Sequence, residues 1–139
     1  MKNSELHKAY LETNFRVLLD QEKHIDITID VCQPELELNL KDLKTWAFIT
    51  AHNPHPEVYD GAINASRNSQ LENDLKDLNL GYLESVGISK DEQWKEESFF
   101  IINCTLHQAH KLSKKYGQLA FVFGKVGEKA QLIYTQYEI

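Results

Sequence analysis

In "HIDITIDVC", residues 24–32, Ile25, Ile27, Ile29 and Val31 alternate with Asp26, Thr28 and Asp30. An extended chain sends successive side chains to opposite sides, so this segment has one dry face and one wet face. That is the signature of a half-exposed strand, and a strand of this kind needs a sheet to sit in.

The rest of the sheet is legible downstream. "WAFITA" (46–51) reads as a buried strand. Asn53-Pro54 ends it, because a residue before proline is pushed out of the α region. "YLESVGI" (82–88) and "ESFFIINC" (97–104) are the next strands. "QLAFVFGKV" (118–126) and "AQLIYTQYE" (130–138) read as a hairpin turning at Gly127-Glu128, with Gly124 at a bulge. Helical spacing appears in four places. "SELHKAYLETNFRVLL" (4–19) carries Leu6, Tyr10, Phe15 and Leu18, and "PELELNLKDLK" (34–44) predicts a short helix after Pro34. Leu71, Leu75 and Leu78 form a stripe closed by Gly81, and "TLHQAHKLSKKYG" (105–117) is opened by Thr105 and closed by Gly117. Strands neighbour strands more often than helices. The expected fold is therefore α+β: a single domain over 1–139, with a mixed or antiparallel sheet of five to six strands and three to four helices packed on it.

Charge and composition exclude several functions. A net charge of −6, with Lys111, Lys114 and Lys115 as the one basic cluster, argues against a nucleic-acid partner. No apolar run reaches half of the roughly 20 residues that span a bilayer, so no membrane role is expected. The start "MKNSELHKAY" lacks an apolar core followed by a cleavage site. Cys32 and Cys104 lie in apolar surroundings without CxxC spacing and read as buried, reduced thiols, which suggests a cytoplasmic protein. Neither GxGxxG nor GxxxxGK[ST] occurs, and the pairs His52/His55 and His107/His110 lack a third ligand at a recognised spacing. No metal and no cofactor are expected.

In the order "AYLET", "ITAHNP", "NASRNSQL", "EES" and "YGQLA", the chain resembles a bacterial family known as domain of unknown function 3293. The resemblance implies no established activity. It implies polar landmarks at Thr50, Asn53, Pro54, Asn64, Arg67, Glu96, Ser98, Gly117 and Gln118. The chain departs from the family pattern at Glu97, where members usually carry proline, and at His52.

The residues themselves give these landmarks a chemistry. In "EESFFII", Glu96, Ser98 and Phe100 share one face of a strand, and Glu97, Phe99 and Ile101 the other. If the strand carrying Thr50 and Asn53 ends beside them, and the next helix brings Asn64 and Arg67, an acid, amides and a guanidinium meet at one rim. The chain has thirteen lysines but only two arginines, Arg16 and Arg67. Arginine binds a carboxylate or phosphate through two parallel hydrogen bonds, as lysine cannot. Two readings stay open. In one, Thr50, Asn53, Asn64, Arg67, Ser98 and Gln118 line a cleft for a small anionic or nucleotide-like ligand, with Glu96 as the candidate acid or base. In the other, Arg67 clamps a neighbouring strand end and the polar cluster is structural. The protein is then a non-enzymatic interaction domain, a monomer or a homodimer through its terminal edge strand. The sequence assigns no reaction.

Overall fold

Ser98, Phe99, Phe100 and Ile101 are consecutive and all buried, which a strand achieves only when both faces of its sheet are covered. The computed structural model, which describes residues 3–52 and 60–137, puts their strand at the centre of a sheet of seven. In chain order the elements are α1 (Asn3–Leu11), β1 (Thr13–Leu18), β2 (His24–Ile27), α2 (Pro34–Asn39), β3 (Thr45–Ile49), α3 (Gly61–Asp77), β4 (Gly81–Ser89), β5 (Lys95–Ile102), α4 (Leu106–Lys115), β6 (Ala120–Lys125) and β7 (Gln131–Tyr134). The strand order is β2-β1-β4-β5-β3-β6-β7, and every neighbouring pair is antiparallel.

The expected count of five to six strands is therefore too low. The extra strand is β1, which helical spacing had merged with the first helix. Its apolar residues satisfy both periods, but α1 stops at Leu11, and the Thr13 hydroxyl donates to the Ala9 carbonyl at 2.8 Å. Beyond that point Phe15 and Val17 are buried, and β1 has a partner on each side, β2 and β4. Pairing along both edges outweighs a local periodicity that fits either structure.

The two faces of the sheet carry separate cores. On one, Ala47, Ile49, Phe99, Ile101, Phe121 and Phe123 pack with Leu71 and Leu75 of α3 and with Ala109 and Leu112 of α4. On the other, Phe15, Val17, Trp46, Phe48, Phe100 and Val122 pack with Leu36 of α2. The second core also holds Ile25 and Ile27 from one edge strand, with Ala130 and Leu132 from the opposite edge. Residues from opposite edges can share a core only if the sheet curls around it. The main chain closes part of the gap: the Asp30 amide donates to the Ala130 carbonyl at 2.8 Å, and the Ala130 amide to the Val31 carbonyl at 3.1 Å. The sheet is thus a curled half-barrel, with α2 inside and α3 and α4 outside.

Several local expectations are refined. α3 is capped at its start by Asp60, whose side chain accepts from the Ile63 amide at 2.8 Å. Past its other end, the left-handed residue is Asn79 (φ 57°), while Gly81 opens β4. Thr105 caps α4 in a reciprocal pair with Gln108, and Gly117 (φ 70°) follows it. Cys104 is buried, but Cys32 is exposed.

Ser113, on the inner face of α4, is fully buried, and its hydroxyl has no hydrogen-bond partner among the described residues. An unsatisfied buried hydroxyl costs stability, so Ser113→Ala is expected to raise it by about 1 kcal/mol in urea unfolding. A destabilised variant would show that the hydroxyl is in fact satisfied.

Candidate functional site

β3 leaves the sheet after Ile49, and its exit is held by side chains from α3, from the segment after α4 and from the exit itself. Asn68 of α3 accepts from the Ala51 amide at 2.9 Å and donates to the Glu97 carbonyl at 2.8 Å. The Thr50 hydroxyl donates to the same carbonyl at 2.6 Å and accepts from the His52 amide at 3.0 Å. Arg67, one residue before Asn68, donates through Nε to the Ala51 carbonyl at 2.9 Å and through Nη2 to the Tyr116 carbonyl at 2.5 Å. Its guanidinium carbon also stands 5.7 Å from the centre of the Tyr116 ring. Gln118, beyond α4, donates to the His52 carbonyl at 2.9 Å, and Thr135 in turn donates to the Gln118 carbonyl at 2.7 Å. Asn64 is buried one turn before Asn68. The arrangement satisfies main-chain groups that would otherwise lack partners where two strands and a helix end together.

The inner face has a different character at the same end of the sheet. Strand register sorts its side chains into rows across the strands. One row reads Leu83, Phe100, Phe48, Val122 and Leu132, and is wholly apolar. Two residues along, the matching row reads Val17, Ser85 and Ser98, while Tyr134 faces Ala120 on the far side. A further two residues on come Phe15, Gly87 and Glu96. The interior therefore turns from aromatic to polar towards its mouth. Ser85 and Ser98 face each other, but each hydroxyl donates within its own strand, to the carbonyls of Leu83 (3.1 Å) and Glu96 (3.0 Å).

Helix α1 lies at this mouth. Its Tyr10 packs against the inner core, and the Glu96 carboxyl is close enough for its charge to help raise the Tyr10 phenol pKa, after burial itself. Tyr134 contributes to the same shift. The Tyr134 hydroxyl in turn lies 2.8 Å from His7 Nδ1, with the two rings stacked at 6.3 Å. Glu96 is half-buried, and its carboxyl makes no hydrogen bond or ion pair among the described residues. Burial alone raises its pKa from the ordinary carboxylate range to about 7.

The expected site residues are thus divided by the sheet. Thr50, Arg67 and Gln118 gather at the β3 exit with Asn68, and Asn64 lies one turn away on α3. Strand alternation sends Glu96 and Ser98, with Phe100, to the inner face. Asn53 lies outside the described residues. Sequence reasoning missed Asn68, although it extends the Leu71–Leu75 stripe by one turn: Asn64, Asn68, Leu71 and Leu75 are all buried on α3. It also missed the nearness of Tyr10 to Glu96 and the pairing of His7 with Tyr134, for which no local signal exists, because the fold alone brings such distant positions together. His52 has a pKa lowered by burial, partly opposed by the Glu97 charge, and its Nε2 is enclosed without a partner among the described residues. His110 is buried, with Nε2 2.9 Å from the Tyr137 carbonyl oxygen. No group of three or more His, Cys, Asp or Glu able to hold a metal occurs among the described residues, nor any helix long and apolar enough to cross a membrane.

Residues 49–121 match the model of a family described as protein of unknown function (DUF3293). They take in the β3 exit, α3, β4, β5, α4 and the start of β6. No curated protein and no solved structure matches the chain.

Proposed function

We propose that this chain, which belongs to the DUF3293 family, is a small-ligand-binding protein whose site is the polar mouth of the half-barrel, with Glu96 as its ionisable group. One observation carries this reading: a half-buried carboxyl with no hydrogen bond or ion pair among the described residues. Withdrawing a carboxyl from water without a partner costs stability, and such groups collect where a ligand or a proton is handled. The mouth of a curled sheet is also a common place for a small-molecule site. With a pKa near neutral, Glu96 is suited to give or take a proton there.

The anionic or nucleotide-like ligand suggested by Arg67 is the weaker variant. Both Arg67 hydrogen bonds described above end on main-chain carbonyls, which favours a framing role for Arg67, Asn64, Thr50 and Gln118. Two unpaired thiols, one of them exposed, agree with a reducing compartment, so we read a cytoplasmic protein of bacterial type.

The test is a titration of isotopically labelled protein with a fragment library, followed by amide chemical shifts. Expected are hits that move Glu96, Ser98, Tyr10 and Tyr134 together. A library that leaves these four unmoved, or moves only α3 and Gln118, would sink the proposal.

One observation favours a second reading. β7 is a sheet edge, and Tyr137 beyond it is 63% exposed, a surface able to pair with another copy of the chain. Light scattering at high concentration decides it: a strict monomer removes the homodimer.

A further inference from the structure

The outer face of the sheet, on the other side from Glu96, carries a cleft of about 190 Å³ between the start of α4 and the β6–β7 hairpin. Its floor is apolar: Phe123 is buried in the outer core, and Leu106 packs against that core. Gln131 is the register partner of Phe123, and Lys125 lies two residues further along the same face of β6. The hairpin then turns back, with the Glu128 amide donating to the Lys125 carbonyl at 3.0 Å. Lys125, Glu128, Lys129 and Gln131 thereby line one cleft. The Lys125 and Lys129 ammonium groups and the Glu128 carboxylate make no hydrogen bond or ion pair among the described residues. Glu37 also reaches this turn, but its carboxylate accepts from the Gly127 amide at 2.6 Å and lies outside the cleft lining. The cleft thus holds two positive charges against one negative, although the chain has 21 Asp and Glu against 15 Lys and Arg. Two lysines that converge on one hollow without an ion-pair partner favour an anion there.

We propose that this cleft binds a small aromatic carboxylate, its ring against Phe123 and Leu106 and its charge between Lys125 and Lys129. A cavity of about 150 Å³ holds one benzene ring, so the space suits a ring with a single charged substituent. Gln131 offers its side-chain amide to the same carboxylate. An apolar floor with a few polar groups at its edge is the usual build of a small-molecule site. Inorganic phosphate would leave the floor unused and bring a second negative charge towards Glu128, and an ammonium ion would face both lysines. The site is separate from the mouth and does not depend on it.

Amide chemical shifts of the labelled full chain, followed during titration with sodium benzoate at neutral pH, test this. Benzyl alcohol supplies the ring without the charge, sodium phosphate the charge without the ring, and benzylammonium chloride the opposite charge. Benzoate is expected to move Leu106, Phe123, Lys129 and Gln131 saturably, with a Kd of about 1 mM, the range of a fragment this small. Lys125→Met and Lys129→Met keep most of the side chain and drop the charge, and each should weaken binding about threefold. High salt should weaken it as well. Glu128→Gln should tighten it. All three positions are exposed, so the variants keep the fold. Benzoate that leaves these amides unmoved overturns the proposal, as does equal binding by the Lys125→Met/Lys129→Met double variant. A matching response to benzyl alcohol, or shifts from phosphate or benzylammonium alone, also overturns it. The amides of Glu96 and Ser98 report separately on the mouth, so either site can fail without the other.

Discussion

Asn68→Ala is expected to lower folding stability by about 3 kcal/mol, measured by urea unfolding. The side chain is 5% exposed and makes two hydrogen bonds, one from the Ala51 amide and one to the Glu97 carbonyl. Truncation leaves the amide of the fully buried Ala51 without its acceptor. The Glu97 carbonyl keeps the Thr50 hydroxyl, so its loss is partial. Hydrogen exchange supplies a local readout, because the Ala51 amide should lose protection before the amides of β3 do. Asn68→Asp should fall between parent and alanine, since it retains the acceptor and loses the donor. A loss below about 0.5 kcal/mol would mean that the β3 exit does not depend on this residue.

Gly124→Ala should also cost about 3 kcal/mol, by overpacking rather than by a lost bond. A Cβ built on Gly124 runs into the indole of Trp46, its register partner on β3, meeting Cε2, Cζ2 and Nε1. The indole is 3% exposed and is stacked on Phe100 with centroids 5.4 Å apart, so it has little room to retreat. Gly124 therefore sits in regular register, and close approach explains a glycine that the sequence had suggested as a bulge. Adding Trp46→Leu to Gly124→Ala should recover part of the loss. Equal stabilities for Gly124→Ala and the parent would count against this packing.

A third expectation concerns pH, and its sign follows from the raised pKa of Glu96. Below about pH 4 both the folded and unfolded chains hold this proton, so the group does not affect stability. Between the ordinary value of 4.5 and about 7 the unfolded chain releases it while the folded chain keeps it. Stability therefore falls as pH rises through that window and stays lower above it. Glu96→Gln removes this contribution. The variant should match the parent at pH 4 and exceed it by about 2 kcal/mol at pH 8, once solvent screening of a half-buried group is allowed for. Parallel stability profiles for the two proteins across pH 4–8 would contradict it.

Much of the architecture was readable because it depends on local patterning. Alternation in "HIDITIDVC", the buried run in "ESFFIINC" and the cap at Thr105 each refer to a few consecutive residues; β5 and α4 follow them, while β2 follows only as far as Ile27, before the chain turns at the left-handed Asp30. Where two periods fit the same residues, as from Thr13 to Leu18, the chain alone could not choose. Pairing with β2 and β4 made that choice.

The candidate site divides in the same way. Alternation alone determined that Glu96 and Ser98 share a face and that Glu97 does not. Which core lies on that face, and that Arg67 belongs to the other, was decided by the packing of α3 against Ile49, Phe99 and Ile101. The pairing of His7 with Tyr134, close to Tyr10, joins positions more than a hundred residues apart. It exists because an antiparallel sheet of seven strands curls far enough to carry its two edges around one core. Local order follows from steric and solvent preferences of neighbouring residues. Curvature follows from the summed twist and packing of the whole sheet, which no short stretch of chain contains.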